Sequence, residues 1–304
     1  MGRLSVITPI LGTPLRYLRE CVASMSRAFA CSPPGLFDRW TIVIDGDHRP
    51  IEHTVRAAMP ADLDGQLLLR FVRLPKTLGL SAARNAGVRA ATGDFVTWLD
   101  ADDTVEVPAF IEFATMALDV LASDPITLMV ISDNADCDSE LRTDFVRQKA
   151  AFVEAHQRYR HTARDPIYAV DFVYQAQIIR RADFILVGGF REGYIGEDVE
   201  FLLRLCATFP VRVIDHVPIV AYRYRKNVNG IVHTQRSTLR RQNVTDYERI
   251  ARTHLVNAPS LEFAEFTPAR MVNGVCLRRR GNDDREFFNV FLPPQTEAYY
   301  VGEM

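Results

Sequence analysis

Three aspartates, Asp100, Asp102 and Asp103, fall within four residues in WLDADDTVEV, directly behind an apolar run. Carboxylates this close repel one another, and the arrangement is costly unless a cation or solvent relieves it. Oxygen ligands of this kind suit Mg2+ or Mn2+, ions that keep positions open for substrate phosphates. The physical expectation is a metal that bridges the protein to a diphosphate. Two other readings use the same residues. Asp102 to Glu106 would serve as an acidic cap for a helix beyond Pro108, although capping accounts for one aspartate and not for three. D-A-D-D-T also satisfies D-x-D-x-T, in which Asp100 would be a phosphatase nucleophile, Asp102 its acid/base and Thr104 its support.

Four further stretches carry chemistry. In LGLSAARNAG (78–87) a glycine and a serine precede a helix of small residues bearing Arg84 and Asn85. A helix N-terminus attracts phosphate, and an arginine one turn in adds a charge-assisted donor. Asp45 closes TIVID and is followed by Gly46, a turn signature at a strand end, where an acid accepts hydrogen bonds from a ribose, a base or the turn itself. GEDVEFLLRL (196–205) sets Glu197, Asp198 and Glu200 ahead of an amphipathic helix. Acids there are ordinary dipole complements, or one of them is a general base for an acceptor hydroxyl. His216, Tyr222, Arg223, Arg225, Lys226 and His233 form a basic and imidazole-bearing stretch suited to a metal shell or a leaving diphosphate.

The elements that must position these groups are legible as an alternation. Apolar runs LSVITPI, WTIVID, LLLRFVRL, FVTWLD and ITLMVIS are separated by helical patterns over 14–27, 51–58, 80–91 and 108–122. Strands that are apolar throughout belong to a mostly parallel sheet covered by helices on both faces. Ligands bind such sheets beyond the carboxyl ends of the strands, where Thr8 and Pro9, Asp45 and Asp100 all fall. The second half predicts a strand in VDFVYQAQII and in VRVIDHVPIVAYRYR, a helix near 234–255, and an extended tail over 258–304 that lies on the body or on a second copy.

Composition narrows the classes. A chain of 304 residues buries about three quarters of its unfolded surface and needs no staples. Its five cysteines are scattered and never spaced C-x-x-C, which argues against a thiolate zinc site or a secreted disulfide scaffold. A formal charge of -2 gives no general pull toward nucleic acid. Met1 leads straight into a strand, and no apolar stretch approaches the ~20 residues of a membrane span. The expectation is a cytoplasmic, soluble protein, with a peripheral membrane role still open.

The ordered set TPI (8–10), IVIDGD (42–47), GLSAARNAG (79–87), FVTWLDADD (95–103) and GGFREGYIGED (188–198) resembles the family 2 glycosyltransferases of GT-A fold. The resemblance implies a Rossmann-like α/β catalytic domain over 1–232, with a nucleotide-sugar-binding half (1–105) and an acceptor and catalytic-base half (106–232), followed by a helix and tail over 233–304. It implies a nucleoside-diphosphate sugar donor, a UDP-sugar first, and a small-molecule, glycan or lipid-linked acceptor. Thr8, Pro9, Asp45, Arg84 and Asp100 would bind the donor nucleotide. Asp102, with Asp100, would hold Mn2+ or Mg2+, Asp198 would be the base, and Arg225 would neutralise the diphosphate as it leaves with inversion. The family's late R-x-H-x-x-S finds Arg225 in the histidine position, which leaves His233, eight residues on, as the third metal ligand.

Competing readings are a haloacid-dehalogenase-like phosphatase and a non-catalytic sugar-nucleotide-binding protein. Against the phosphatase, three strand-helix units precede the aspartate motif, which in that family ends the first strand. Intact Asp102 and Asp198 count against the non-catalytic protein.

Overall fold

The computed structural model describes residues 2–46, 50–59, 69–150, 153, 176–192, 197–209 and 212–226, and the backbone of three strands between 270 and 291. In chain order the elements are β1 (Leu4–Ile10), α1 (Leu15–Cys31), β2 (Phe37–Asp45), α2 (Pro50–Ala58), β3 (Leu69–Leu74), α3 (Leu80–Ala90), β4 (Phe95–Trp98), β5 (Thr104–Val105) and α4 (Val107–Ser123). They continue with β6 (Thr127–Cys137), β7 (Thr143–Arg147), β8 (Gln177–Arg180), α5 (Arg181–Leu186), α6 (Glu197–Thr208) and β9 (Val213–Arg225).

The main sheet has the order β3-β2-β1-β4-β8-β6-β9-β5, with β7 added to β6. Strands β1 to β4 run parallel, β8 is antiparallel to both its neighbours, and β9 runs parallel to β6. Alternate residues of each strand feed two cores. Leu4, Val6, Trp40, Ile42 and Ile44 pack under α1, α2 and α4, while Ile7, Val43 and Val96 pack under α3, α5 and α6. Both faces are therefore dry, which explains strands without polar alternation. Helix α3 lies so close to the sheet that a Cβ on Gly87 would stand 2.3 Å from the Ile7 side chain.

The chain builds outward from β1 to β3 and then returns to the other side of β1 for β4. That reversal opens a crevice between β1 and β4 at their carboxyl ends.

Several expectations need amendment. The strand β7, absent from the alternation read in the sequence, pairs with the prolonged end of β6. The tail read as merely extended contains three strands, β10 (Arg270–Val272), β11 (Val275–Arg279) and β12 (Phe287–Phe291), in an antiparallel sheet of their own. The expected helix near 234–255 and His233 lie outside the described residues. Among the described residues no helix is long and apolar enough to cross a membrane.

Candidate active site

The end of β1 supplies Thr8 and Pro9, both buried. The Thr8 hydroxyl accepts a hydrogen bond from the indole of Trp40 at 3.0 Å, so its first task is to satisfy a buried tryptophan. Asp45, buried at the end of β2, accepts the amides of Leu78 and Gly79 at 2.7 Å each. Gly79 holds φ +95, a conformation that disfavours side chains. One carboxylate thus shapes the loop that launches α3, and the strand-end acid and the L-G-L-S stretch form a single device.

Arg84 stands one turn into α3 with its side chain 3% exposed. One terminal nitrogen donates to both oxygens of Asp100, at 3.0 and 3.1 Å, and the other to Glu197 at 3.1 Å. The ring of Phe190 lies below its guanidinium, 5.7 Å to the centroid. A buried arginine without anionic partners would be prohibitive, and here it draws acids from two distant segments onto one point. The next residue secures the same join. Asn85 bonds both the N–H and the C=O of Phe190 at 2.8 Å, and a Cβ on Gly189, where φ is +69, would fall 2.6 Å from the Asn85 oxygen. This is the physical link between A-R-N-A-G and G-G-F. The first docks on the second, and Glu197, a short way beyond Phe190, meets Arg84. Asn85 and Gly189 went unassigned from sequence, although both lie inside the motifs singled out there.

Glu197 and Asp198 open α6. Burial, and then the neighbouring Asp198, push the Glu197 carboxyl up to about 7 despite Arg84. A carboxyl whose folded pKa is raised binds its proton more tightly folded than unfolded. Its contribution to stability is complete below the ordinary glutamate value and is lost as pH rises through about 7. The expected consequence is that E197Q flattens the fall of stability between pH 5 and 8 by roughly 1–3 kcal/mol. Thermal melts of the two proteins across that range check it, and parallel curves would refute it.

The acid loop itself is gripped from behind. The Asp100 amide donates to the Tyr222 hydroxyl at 3.0 Å. Asp103 is buried and receives the Arg225 amide at 2.7 Å. Burial, with Asp102 and Asp100 nearby, pushes its carboxyl well above the usual range. Asp102 and Asp100 are more open, the latter 32% exposed in its side chain.

Among the described residues no group of three or more His, Cys, Asp or Glu side chains is arranged to hold a metal ion. One or two carboxylates completed by phosphates and water is nevertheless the set that Mg2+ and Mn2+ accept, so Asp102 and Asp100 fit either ion.

Two expected roles change. Arg225 is fully buried, and its guanidinium bonds the carbonyls of Asp102 and Ser139 and the carboxylate of Glu20. Its donors are committed within the protein, so the geometry does not equip it to meet a departing diphosphate. His216 bonds Asp133 at 2.8 Å rather than standing with the acid loop.

Residues 5–120 match Glycosyl transferase family 2. Over 204 residues, 66% of this chain and 14% of the relative, the sequence is 26% identical to the O-antigen biosynthesis protein RfbC of Myxococcus xanthus. An uncharacterised protein of Sinorhizobium fredii, y4gI, is 23% identical over 52% of this chain and 16% of its own. The chain therefore spans only about one seventh of the length of these relatives.

Among solved structures, residues 1–349 of S. aureus TarS in complex with UDP-GlcNAc superpose with a TM-score of 0.63 at 18% identity, covering 86% of this chain and 68% of that one. The mannosyltransferase PcManGT from Pyrobaculum calidifontis, in complex with GDP-Man and Mn2+, gives 0.57 at 17% identity over 82% and 64%. The matched segment carries the crevice, Asp45, Arg84 and the acid loop, so it is the site-bearing part of the chain that is similar to glycosyl transferase family 2, and the fold is that of the superposed GT-A structures.

Proposed function

We propose that this protein transfers a sugar from a nucleoside-diphosphate sugar to an acceptor hydroxyl, in a metal-dependent reaction that inverts the anomeric carbon. The observation that carries the reading is the Arg84 junction. It brings the start of α6, with Asp198, against the acid loop at the mouth of the β1–β4 crevice. The similar TarS and PcManGT structures, which hold UDP-GlcNAc and GDP-Man with Mn2+, support a nucleotide-sugar donor of this kind.

In this reading Thr8, Pro9 and Asp45 border the nucleoside, and Arg84 holds Asp100 toward the ribose and diphosphate. Asp102, assisted by Asp100, would hold Mn2+ or Mg2+, which when bound neutralises charge on the diphosphate. Asp198 takes the proton of the acceptor hydroxyl as that oxygen bonds to the anomeric carbon. The carbon–oxygen bond to the diphosphate breaks on the opposite face, and the nucleoside diphosphate leaves with its electron pair. The acceptor is a small molecule, a glycan or a lipid-linked sugar. Residues 1–232 would be the catalytic unit, working in the cytoplasm or at a membrane surface, with 233–304 available for self-association.

The phosphatase alternative is weakened because Asp100 follows β4 and not the first strand of the sheet. Incubation with UDP-, GDP- and dTDP-sugars plus Mn2+ should release one nucleoside diphosphate, and D102A or chelation should stop the release. Turnover that persists in D102A and in the presence of a chelator would remove the metal from the mechanism.

A further inference from the structure

Arg225 is among the largest side chains with essentially no exposure. A guanidinium is buried at considerable cost unless its donors are met, and here they are met by three separate segments. Its side-chain Nε donates to the Asp102 carbonyl at 2.7 Å. One terminal nitrogen bonds the Ser139 carbonyl in the β6–β7 connection, and the other the Glu20 carboxylate of α1. Tyr17, also of α1, stacks on the guanidinium at 4.1 Å. The Arg225 amide donates to the Asp103 carboxylate.

The pairing of strands explains the arrangement. β5, immediately after the acid loop, lies antiparallel on the end of β9 with Thr104 opposite Arg223 and Val105 opposite Tyr222, which delivers residue 225 to residues 102 and 103. Glu20 is tied in turn to Arg16, which also grips Glu140, next to Ser139.

We infer that Arg225 is the positioning residue of the metal-binding acid loop: it fixes the Asp102 backbone against α1 and the β6–β7 connection, and so sets the affinity for the divalent cation. The inference rests on the metal-dependent reading above. Groups that hold a metal's ligands in place typically change metal affinity by about 10–100-fold when removed. A lysine in this place keeps the charge but cannot span the Asp102 carbonyl, the Ser139 carbonyl and Glu20 at once.

The test is Mn2+ uptake, followed by electron paramagnetic resonance of free Mn2+, by the full chain with UDP or GDP in parallel samples. R225M and R225K should each weaken Mn2+ binding by about 10–100-fold, and the lysine should not rescue it. If R225M fails to fold, E20Q, which leaves Arg225 in place and removes only its charged partner, should weaken Mn2+ binding in the same direction. A purely structural role would lower the melting temperature and leave the Mn2+ affinity of folded protein unchanged. That result in R225K or in E20Q overturns the inference while sparing the catalytic reading. Wild-type protein that takes up no Mn2+ with either nucleotide overturns the metal-dependent reading, and the inference with it.

Discussion

D198N is expected to lower the turnover number for sugar transfer by about 10²–10⁴-fold, the usual contribution of a positioned general base. Asparagine keeps the size of the side chain and its place at the start of α6 but cannot accept the hydroxyl proton. Donor affinity should be unchanged, because the nucleotide contacts assigned to Thr8, Asp45, Asp100 and Asp102 are on other elements. Paired measurements of transfer rate and of nucleotide dissociation constant check the split. Loss of both together would show that Asp198 supports the donor site instead, and that the base lies elsewhere, with Glu197 the first alternative.

The second large effect is at the junction. R84M should cost about 3–5 kcal/mol of stability, since removing one member of a buried ion cluster strands the others. Of the two acids, Glu197 is the more deeply buried, at 13% exposure against 32% for Asp100, and without Arg84 it keeps its proton to a higher pH. R84K should recover only part of the loss, because an ammonium cannot bridge both carboxylates with a fixed fork. Donor binding should fall in parallel, since both the acid loop and the start of α6 lose their common anchor. Denaturant titration and nucleotide calorimetry on the same variants test this. A fully stable R84M with intact donor binding would break the proposed link between A-R-N-A-G and the start of α6.

Much of the fold was legible because the first half repeats one physical pattern. Runs apolar on both faces, each followed by a helical stretch, admit little except a covered parallel sheet, and β1 to β4 with α1 to α4 fall where that pattern puts them, while the two-residue β5 does not show in it. β7 was missed because TDFVR is largely exposed and carries no apolar face. It is a strand because β6 runs on past the core and offers it a partner. α5, six residues long, is too short to show a helical period.

The site was legible as pieces and not as joins. Asp45 was read as a turn acid or a ligand for the nucleoside. Nothing local could show that its oxygens hold amides 33 and 34 residues away. Arg225 was placed by motif position at the leaving group, but its environment is decided by strand pairing across 122 residues. Glu197 looked like an ordinary first-turn acid until Arg84 met it across 113 residues. Sequence patterns report periodicity and local chemistry, whereas a buried charge is defined by what the rest of the chain folds around it.

Calorimetric titration with UDP, GDP and dTDP, each with and without Mn2+, tests the assignment most directly. One nucleotide should bind tightly, only when Mn2+ is present, and should identify the donor base. No binding of any of the three, together with hydrolysis of a generic phosphate ester that D100N abolishes, would contradict a nucleotide-sugar site and favour the phosphatase chemistry of Asp100.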